Sequence, residues 1–385
     1  MTKSTTPFRP SGARGAAAMP PAGARPGEAP PAFRLPPEWD RHEATWIGWP
    51  HETSDWPGKF APIPWVYAEI VRRIAPGEKV RVLVNSGARR LQARSVLARA
   101  GADLAAVEFF TVQTDRGWTR DFGPIFVVRD RGEGGALGVA GFRFNGWAKY
   151  SNCRLDAAAA RAVARRLRVP FAAVKSGGRD VVLEGGAIDV NGRGTLVTTE
   201  ECLLDPDVQP RNPGLGRGGI ERVFREALGA SNVIWLGRGI AGDDTHGHVD
   251  DLCRFVSART LVLCCESNPH DANYRALEEN RERLQEARLE DGSKPEVVLL
   301  PMPAPLYFAG RRLPASYANF YIANSAVLVP TFNDPADRVA LGTLAELLRD
   351  RPVVGIHAVD LVWGLGTLHC LTQQQPAAPA LATWR

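Results

Sequence analysis

No stretch of the 385 residues approaches the ~18 apolar residues that a membrane-crossing helix needs, which excludes a helical membrane span. None of the six cysteines (Cys153, Cys202, Cys253, Cys264, Cys265 and Cys370) forms a C-x-x-C pair, and the adjacent Cys264–Cys265 make a poor shared zinc site. No apolar secretory core opens the chain, so a disulfide framework is not expected and reduced thiols in a cytoplasm are the default. The folded body also lacks a charge excess. Of the net +5, residues 1–37 supply +4, from Lys3, Arg9, Arg14, Arg25 and Arg34 against Glu28. About +1 remains for the rest, which argues against a nucleic-acid surface.

What is present begins with a tail. Residues 1–32 are rich in Ala, Pro, Gly and Arg and hold too few large apolar groups to offset their ordering entropy, so disorder is expected. An Arg-bearing, acid-poor start is also compatible with an organelle transit segment. From about Phe33 the chain alternates short apolar strands with amphipathic helices as far as 376, and 377–385 reads as an extension. Strands are expected at 79–84, 106–112, 124–129, 135–145, 232–236, 296–302 and 352–359. Hairpins are expected within 183–199, through Asn191-Gly192, and within 251–265. Helices are expected near 87–100, 155–168, 219–229, 271–288 and 334–350. Strands outnumber helices about two to one and several join through tight turns, so a doubly wound parallel sheet is disfavoured. The rhythm is that of a repeated mixed α/β unit in one domain. The glycines of GLGRGG (214–219) match a dinucleotide fingerprint in letters, yet follow a turn where that motif needs a strand.

Four stretches set reactive groups at the ends of apolar strands: WTRDFGP (118–124), LEGG (183–186), GDDTHGHVDD (242–251) and LHCLTQQQP (368–376). His246-x-His248-x-Asp250 has the spacing of zinc hydrolases of the metallo-β-lactamase type, but Asp251 stands where that motif continues with His. A second reading joins all four stretches. Cys370, approached through Gly364 and Gly366, would be a nucleophile served by His248. Carboxylates nearby oppose a thiolate unless the substrate itself is cationic, and guanidinium is the cation that paired carboxylates fit best. Asp121 and Asp250 would form that grip, and Glu184 would hold the histidine. If Cys370 lies on a strand and faces the site, His369 beside it should face away.

These stretches, with FRLPPEWDRHEATWIGWP (33–50), EGGAIDVNGRGTLVTTEECLL (184–204) and ASYANFYIAN (315–324), resemble the guanidino-group-modifying superfamily over residues 33–376. They are most similar to the agmatine deiminases, grouped with bacterial-type peptidylarginine deiminases. The resemblance implies a five-bladed α/β propeller (pentein) of pseudo-fivefold ββαβ repeats with the site on its axis. It implies hydrolysis of agmatine to N-carbamoylputrescine and ammonia, feeding putrescine formation. Cys370 would attack the guanidinium carbon to leave a thiouronium, and His248 would act as acid and then base. Asp121 and Asp250 would hold the guanidinium, and Glu184 would orient His248. Trp118 would pack along the methylenes, and Asp244 would read the far ammonium. The implied partner is a small cationic guanidino compound, with no metal or organic cofactor, and such propellers often pair as homodimers. His246 and Asp251 stand where plant-type members typically have Asn, and GLGTLHC replaces their usual GGGNIHC. A changed rim leaves arginine or peptidyl-arginine as alternative substrates, with a zinc metallohydrolase built on His246, His248 and Asp250 as the minor alternative.

Overall fold

A computed structural model describes residues 33–129 and 136–377. The expected tail 1–32, and all of 377–385 except Ala377, lie outside the described residues. A strand, an antiparallel neighbour, a helix and a parallel third strand recur five times. The second unit is Ile125–Arg129, Ala136–Gly141, helix Arg154–Leu167 and Phe171–Ala173. The third is Asp189–Val190, Thr195–Thr199, helix Arg217–Leu228 and Asn232–Leu236. The fourth is Cys253–Phe255, Thr260–Cys265, helix Tyr274–Glu286 and Glu296–Pro301. The fifth is Tyr321–Ile322, Val327–Thr331, helix Ala336–Leu347 and Val353–His357. In the first, the late strand Thr372–Pro376 pairs antiparallel with His42–Gly48. Helix Ile63–Ile74 then leads to Lys79–Val84, and helix Gly87–Arg99 to Val107–Thr111.

Local chemistry accounts for the elements that the sequence displays well. The Asn191-Gly192 hairpin forms because Asn191 Oδ1 accepts from the amides of Arg193 (2.9 Å) and Thr195 (3.0 Å), while Gly192 takes the positive φ of 70°. Helix Arg217–Leu228 ends where Gly229 enters the left-handed region, too close to the Phe33 carbonyl to admit a Cβ. It buries Ile220, Val223, Phe224 and Leu228, a stripe at helical spacing. Among the elements that escaped sequence reading, two show why. His42–Gly48 lies between two strands and is buried on both faces except at Glu43, so it shows no alternation. Helix Ile63–Ile74 starts through Pro62 and Pro64, residues that read as breakers although the first turn tolerates them. No described helix is long and apolar enough to cross a membrane.

One buried carboxylate links distant parts of this arrangement. Glu38 accepts from Arg120 (3.1 Å), Arg254 (3.0 Å) and the Ile322 amide (2.8 Å), and its Oε2 lies 2.8 Å from His369 Nε2. Burial would raise its carboxyl, but Arg254, His369 and Arg120 together hold it well below the ordinary range. Replacing Glu38 with Ala leaves the buried Arg120 without its counter-charge and Arg254 with Asp189 alone. The expected cost is about 3–5 kcal/mol of stability, read as a lower denaturant midpoint, with Glu38→Gln losing less.

Candidate active site

The chain from Gly364 to Leu371 delivers a thiol to the end of a cavity of about 260 Å³. Gly364 and Gly366 are required here by shape. A Cβ at Gly364 would lie 2.5 Å from Trp56 Nε1, and one at Gly366 would lie 2.8 Å from Trp118 Cζ3. The two indoles therefore pack against bare backbone, and Trp118 forms one wall of the cavity. Residues Leu368–Leu371 then form a single helical turn, not a strand, before Thr372–Pro376. This corrects the expectation for His369. Neighbours on a helical turn diverge by about 100° and not 180°. His369 consequently reaches the site, with Nδ1 2.7 Å from Asp250 Oδ2, the same oxygen that lies 3.8 Å from Cys370 Sγ.

Around the thiol the residues singled out from sequence converge. Asp121, on the short helix Thr119–Phe122, accepts from Trp147 Nε1 (2.9 Å) and the Gly186 amide (3.1 Å). His248 is buried between two carboxylates, 3.7 Å from Asp121 Oδ1 and 3.7 Å from Glu184 Oε2. Glu184 Oε1 is held by Arg211 at 3.1 Å. Both His248 nitrogens, Glu184 Oε2 and Asp250 Oδ1 are buried without a hydrogen-bond partner. Such atoms carry a desolvation cost that a ligand or water can relieve. Gly186 sits among them: a Cβ there would stand 2.6 Å from His248 Nδ1, 2.9 Å from Asp121 and 3.1 Å from Asp250.

His246 takes no part. It adopts a positive φ of 63°, and its Nε2 lies 2.9 Å from Asp205. Among the described residues His246, His248 and Asp250 form no common cluster, so the zinc-hydrolase spacing does not become a site. Asp244 lines the cavity as expected, but both its oxygens are engaged, by Lys149 (2.7 Å) and Arg311 on one side and by the Tyr150 hydroxyl (2.6 Å) on the other.

Three contributors had been given no role. Asn319 donates to Cys370 Sγ (3.1 Å) and Asp251 Oδ1 (2.9 Å), and its Oδ1 accepts from Thr367 (2.8 Å), bracing the nucleophile turn. It lies inside ASYANFYIAN, so the stretch was visible although the role was not. Arg211 and Trp147, which hold Glu184 and Asp121, carried no sequence signal beyond residue type.

The electrostatics are those of a site awaiting a cation. Burial pushes the Cys370 thiol far up, and Asp250, Asp251 and Asp121 push it further; the Asn319 bond opposes them. Burial would lower His248, yet Asp121, Cys202 and Glu184 raise it well above the ordinary range. Asp121 is raised to about 6 by burial, with Asp250 and Glu184 adding to it and His248 opposing. Burial would raise Glu184 too, but Arg211 and His248 bring it down to about 2. These directions favour the protonated form of both the thiol and the imidazole. A cation between the carboxylates would favour the thiolate, the reactive form.

A buried cysteine and Asp121 at one cavity, with His248, Glu184 and Asp250 packed behind them, define a cysteine-centred site suited to a cation. The model of the Porphyromonas-type peptidyl-arginine deiminase family matches residues 34–376, and the chain belongs to that family. It is similar to the agmatine deiminase of Pseudomonas aeruginosa strain LESB58, with 34% identity over 369 residues, 90% of this chain and 96% of the relative. The agmatine deiminase of Stutzerimonas stutzeri strain A1501 is 35% identical over 368 residues, at the same coverages. Among solved structures, a Cys-to-Ser variant of the C. Jejuni agmatine deiminase with substrate bound aligns over 90% of this chain and 97% of its own. Its TM-score is 0.79 and its identity 30%. The chain thus has the mixed α/β fold of the agmatine deiminase structures.

Gly186→Ala tests the cluster directly. In a Cys370→Ala background, calorimetric titration with methylguanidine should show affinity at least tenfold weaker when Gly186→Ala is added, because the methyl group drives His248, Asp121 and Asp250 apart.

Proposed function

We propose that this protein is a deiminase that hydrolyses agmatine to N-carbamoylputrescine and ammonia, with residues 33–376 as the deiminase domain. The observation that carries the reading is the position of the Cys370 thiol, at the end of a cavity also lined by Asp121 and Trp118, with His248 held between Asp121 and Glu184. The two agmatine deiminase relatives, similar over nine-tenths of the chain, supply the substrate.

In this reading Asp121 and Asp250 receive the guanidinium nitrogens, and Trp118 lies along the methylenes. The bound cation stabilises the thiolate, so the Cys370 proton is lost to solvent, and Sγ attacks the guanidinium carbon. The carbon–nitrogen bond breaks as His248 gives its proton to the leaving ammonia, so an S-linked thiouronium remains. His248, now neutral, takes a proton from water. The hydroxide adds to the same carbon, the carbon–sulfur bond breaks, and the ureido product leaves with the thiol restored. Glu184, held ionised by Arg211, keeps the imidazole oriented through both halves. The product would feed putrescine formation. Six free cysteines, one of them the nucleophile, suit a reducing cytoplasm.

We also infer that the five ββαβ units are set around a pseudo-fivefold axis. Their shared antiparallel-then-parallel strand order and the pairing of Thr372–Pro376 back onto His42–Gly48 support a ring closed by the first and last of these strands.

Cys370→Ala should abolish ammonia release from agmatine, and appreciable residual turnover would sink the covalent route. The free-protein titration of Asp121 near 6 sets an acid limb. Its carboxylate is ionised above that value and protonated below it, so kcat/KM for agmatine should fall tenfold per unit as pH drops below about 6. A profile flat from pH 7 to 4.5 would remove Asp121 from the grip.

A further inference from the structure

The catalytic end of the cavity is acidic, but the far end is not. Two carboxylates stand there, Asp55 and Asp244. Arg116 covers one oxygen of Asp55, and Trp118 Nε1 donates to the other at 3.1 Å. Lys149 and Arg311 both sit on Asp244 Oδ1, and the Tyr150 hydroxyl donates to Oδ2. Three cations thus face two acids, and the charge of both carboxylates is already balanced. A tail ammonium brought to Asp244 would meet Lys149 and Arg311 at short range.

Both cations are held there by structure. Lys149 follows a tight loop in which Gly146, Trp147 and Ala148 all have positive φ, fixed by the Ala148 amide donating to Asn145 (2.9 Å). The same loop presents Trp147 to Asp121, so the two ends of the cavity share one support. Gln209 ties that loop to the other wall, donating to the carbonyls of Trp147 (3.0 Å) and Asp244 (3.2 Å). Arg311 comes from a two-residue hairpin, Tyr307–Phe308 with Arg311–Arg312, turned through Ala309 and Gly310 at positive φ. Its neighbours are anchored: Arg312 donates to Asp271 at 2.9 Å, and Phe308 packs edge-on against Trp363, a cavity-lining residue. Arg311 is about half exposed and Asp244 is nearly buried, so the guanidinium lies on the solvent side of the carboxylate.

We propose that Lys149 and Arg311 are specificity determinants: by occupying Asp244 they open this site to guanidino compounds whose tails are uncharged or carry a carboxylate, with agmatine one substrate among them. A carboxylate tail would take Arg311 or Lys149 as its partner without leaving a buried charge unpaired. An alkyl tail would lie along Trp118 and leave the ion pairs intact. This inference rests on the deiminase reading above.

The test compares agmatine, 4-guanidinobutyrate and N-butylguanidine, three compounds of similar length that differ at the tail end. Each is assayed by ureido product with the native protein, Lys149→Met, Arg311→Met, the double variant, and Arg311→Lys. The native protein should turn over 4-guanidinobutyrate with kcat/KM within tenfold of agmatine. In the double variant the agmatine-to-guanidinobutyrate ratio should rise at least tenfold, mainly through opposite changes in the two KM values. Arg311→Lys should hold the native ratio, which a merely structural role for the hairpin would not explain. If the native protein turns over agmatine alone, or if the variants leave the ratio unchanged, Asp244 reads an ammonium despite its cations and the proposal falls. If none of the three compounds yields ureido product, the deiminase reading falls first and takes this inference with it.

Discussion

The site depends on an interaction that is not in it. Glu38 lies in the segment before the first strand, yet it contacts the short helix of Asp121 through Arg120, the fourth unit through Arg254, the fifth through the Ile322 amide, and the nucleophile turn through His369. A carboxylate buried without partners would be costly, and so would a buried Arg120 without it, whereas Arg254 also has Asp189. The four contacts therefore support one another, and one of them holds His369. His369 in turn holds the Asp250 oxygen that lies against Cys370. Placement of the thiol is thereby tied to the packing of three separate units and not to its own loop.

The same economy of charge governs reactivity. A thiol surrounded by carboxylates is a poor nucleophile while the cavity holds no cation, because burial and Asp250, Asp251 and Asp121 all favour its protonated form. A guanidinium among those carboxylates reverses the balance at the atom it is about to meet. Occupancy by a cation and the ionisation of the thiol would thus be linked through electrostatics. His248 completes the coupling. The carboxylates that would hold the substrate also keep the imidazole charged, so a proton for the departing nitrogen is in place beforehand.

The sequence displayed these parts unequally. Asp121, Glu184, His248, Asp250 and Cys370 stood out because each lies in a polar run at the end of an apolar strand. The structure sets Asp121 and Cys370 on one cavity, with His248 between Asp121 and Glu184 and with Asp250 against the thiol. The strand Asn232–Leu236 and the Asn191-Gly192 hairpin were legible because local chemistry alone specifies them. The strand His42–Gly48 was hidden because burial on both faces removes the alternation that marks a strand. His369 was misjudged because a four-residue helical turn leaves no periodic trace, so the strand rule was applied where it does not hold. Asn319, Arg211 and Glu38 look like surface polar residues until folding surrounds them. The engagement of Asp244 joins positions 149, 244 and 311, which only tertiary structure sets side by side.

The pairing of Thr372–Pro376 with His42–Gly48 also has a temporal meaning. Trp46 and Gln375 bond across 329 residues, so a ribosome makes the first strand long before its partner exists. Until then one edge of that strand stays unpaired, and contacts so distant in the chain form slowly. Cys370 lies two residues before the closing strand, and Asp121, Glu184, His248 and Asp250 all precede it in the chain. A growing polypeptide accordingly carries those four residues before it carries the thiol, and the pairing that completes the first sheet is also what fixes the segment next to Cys370.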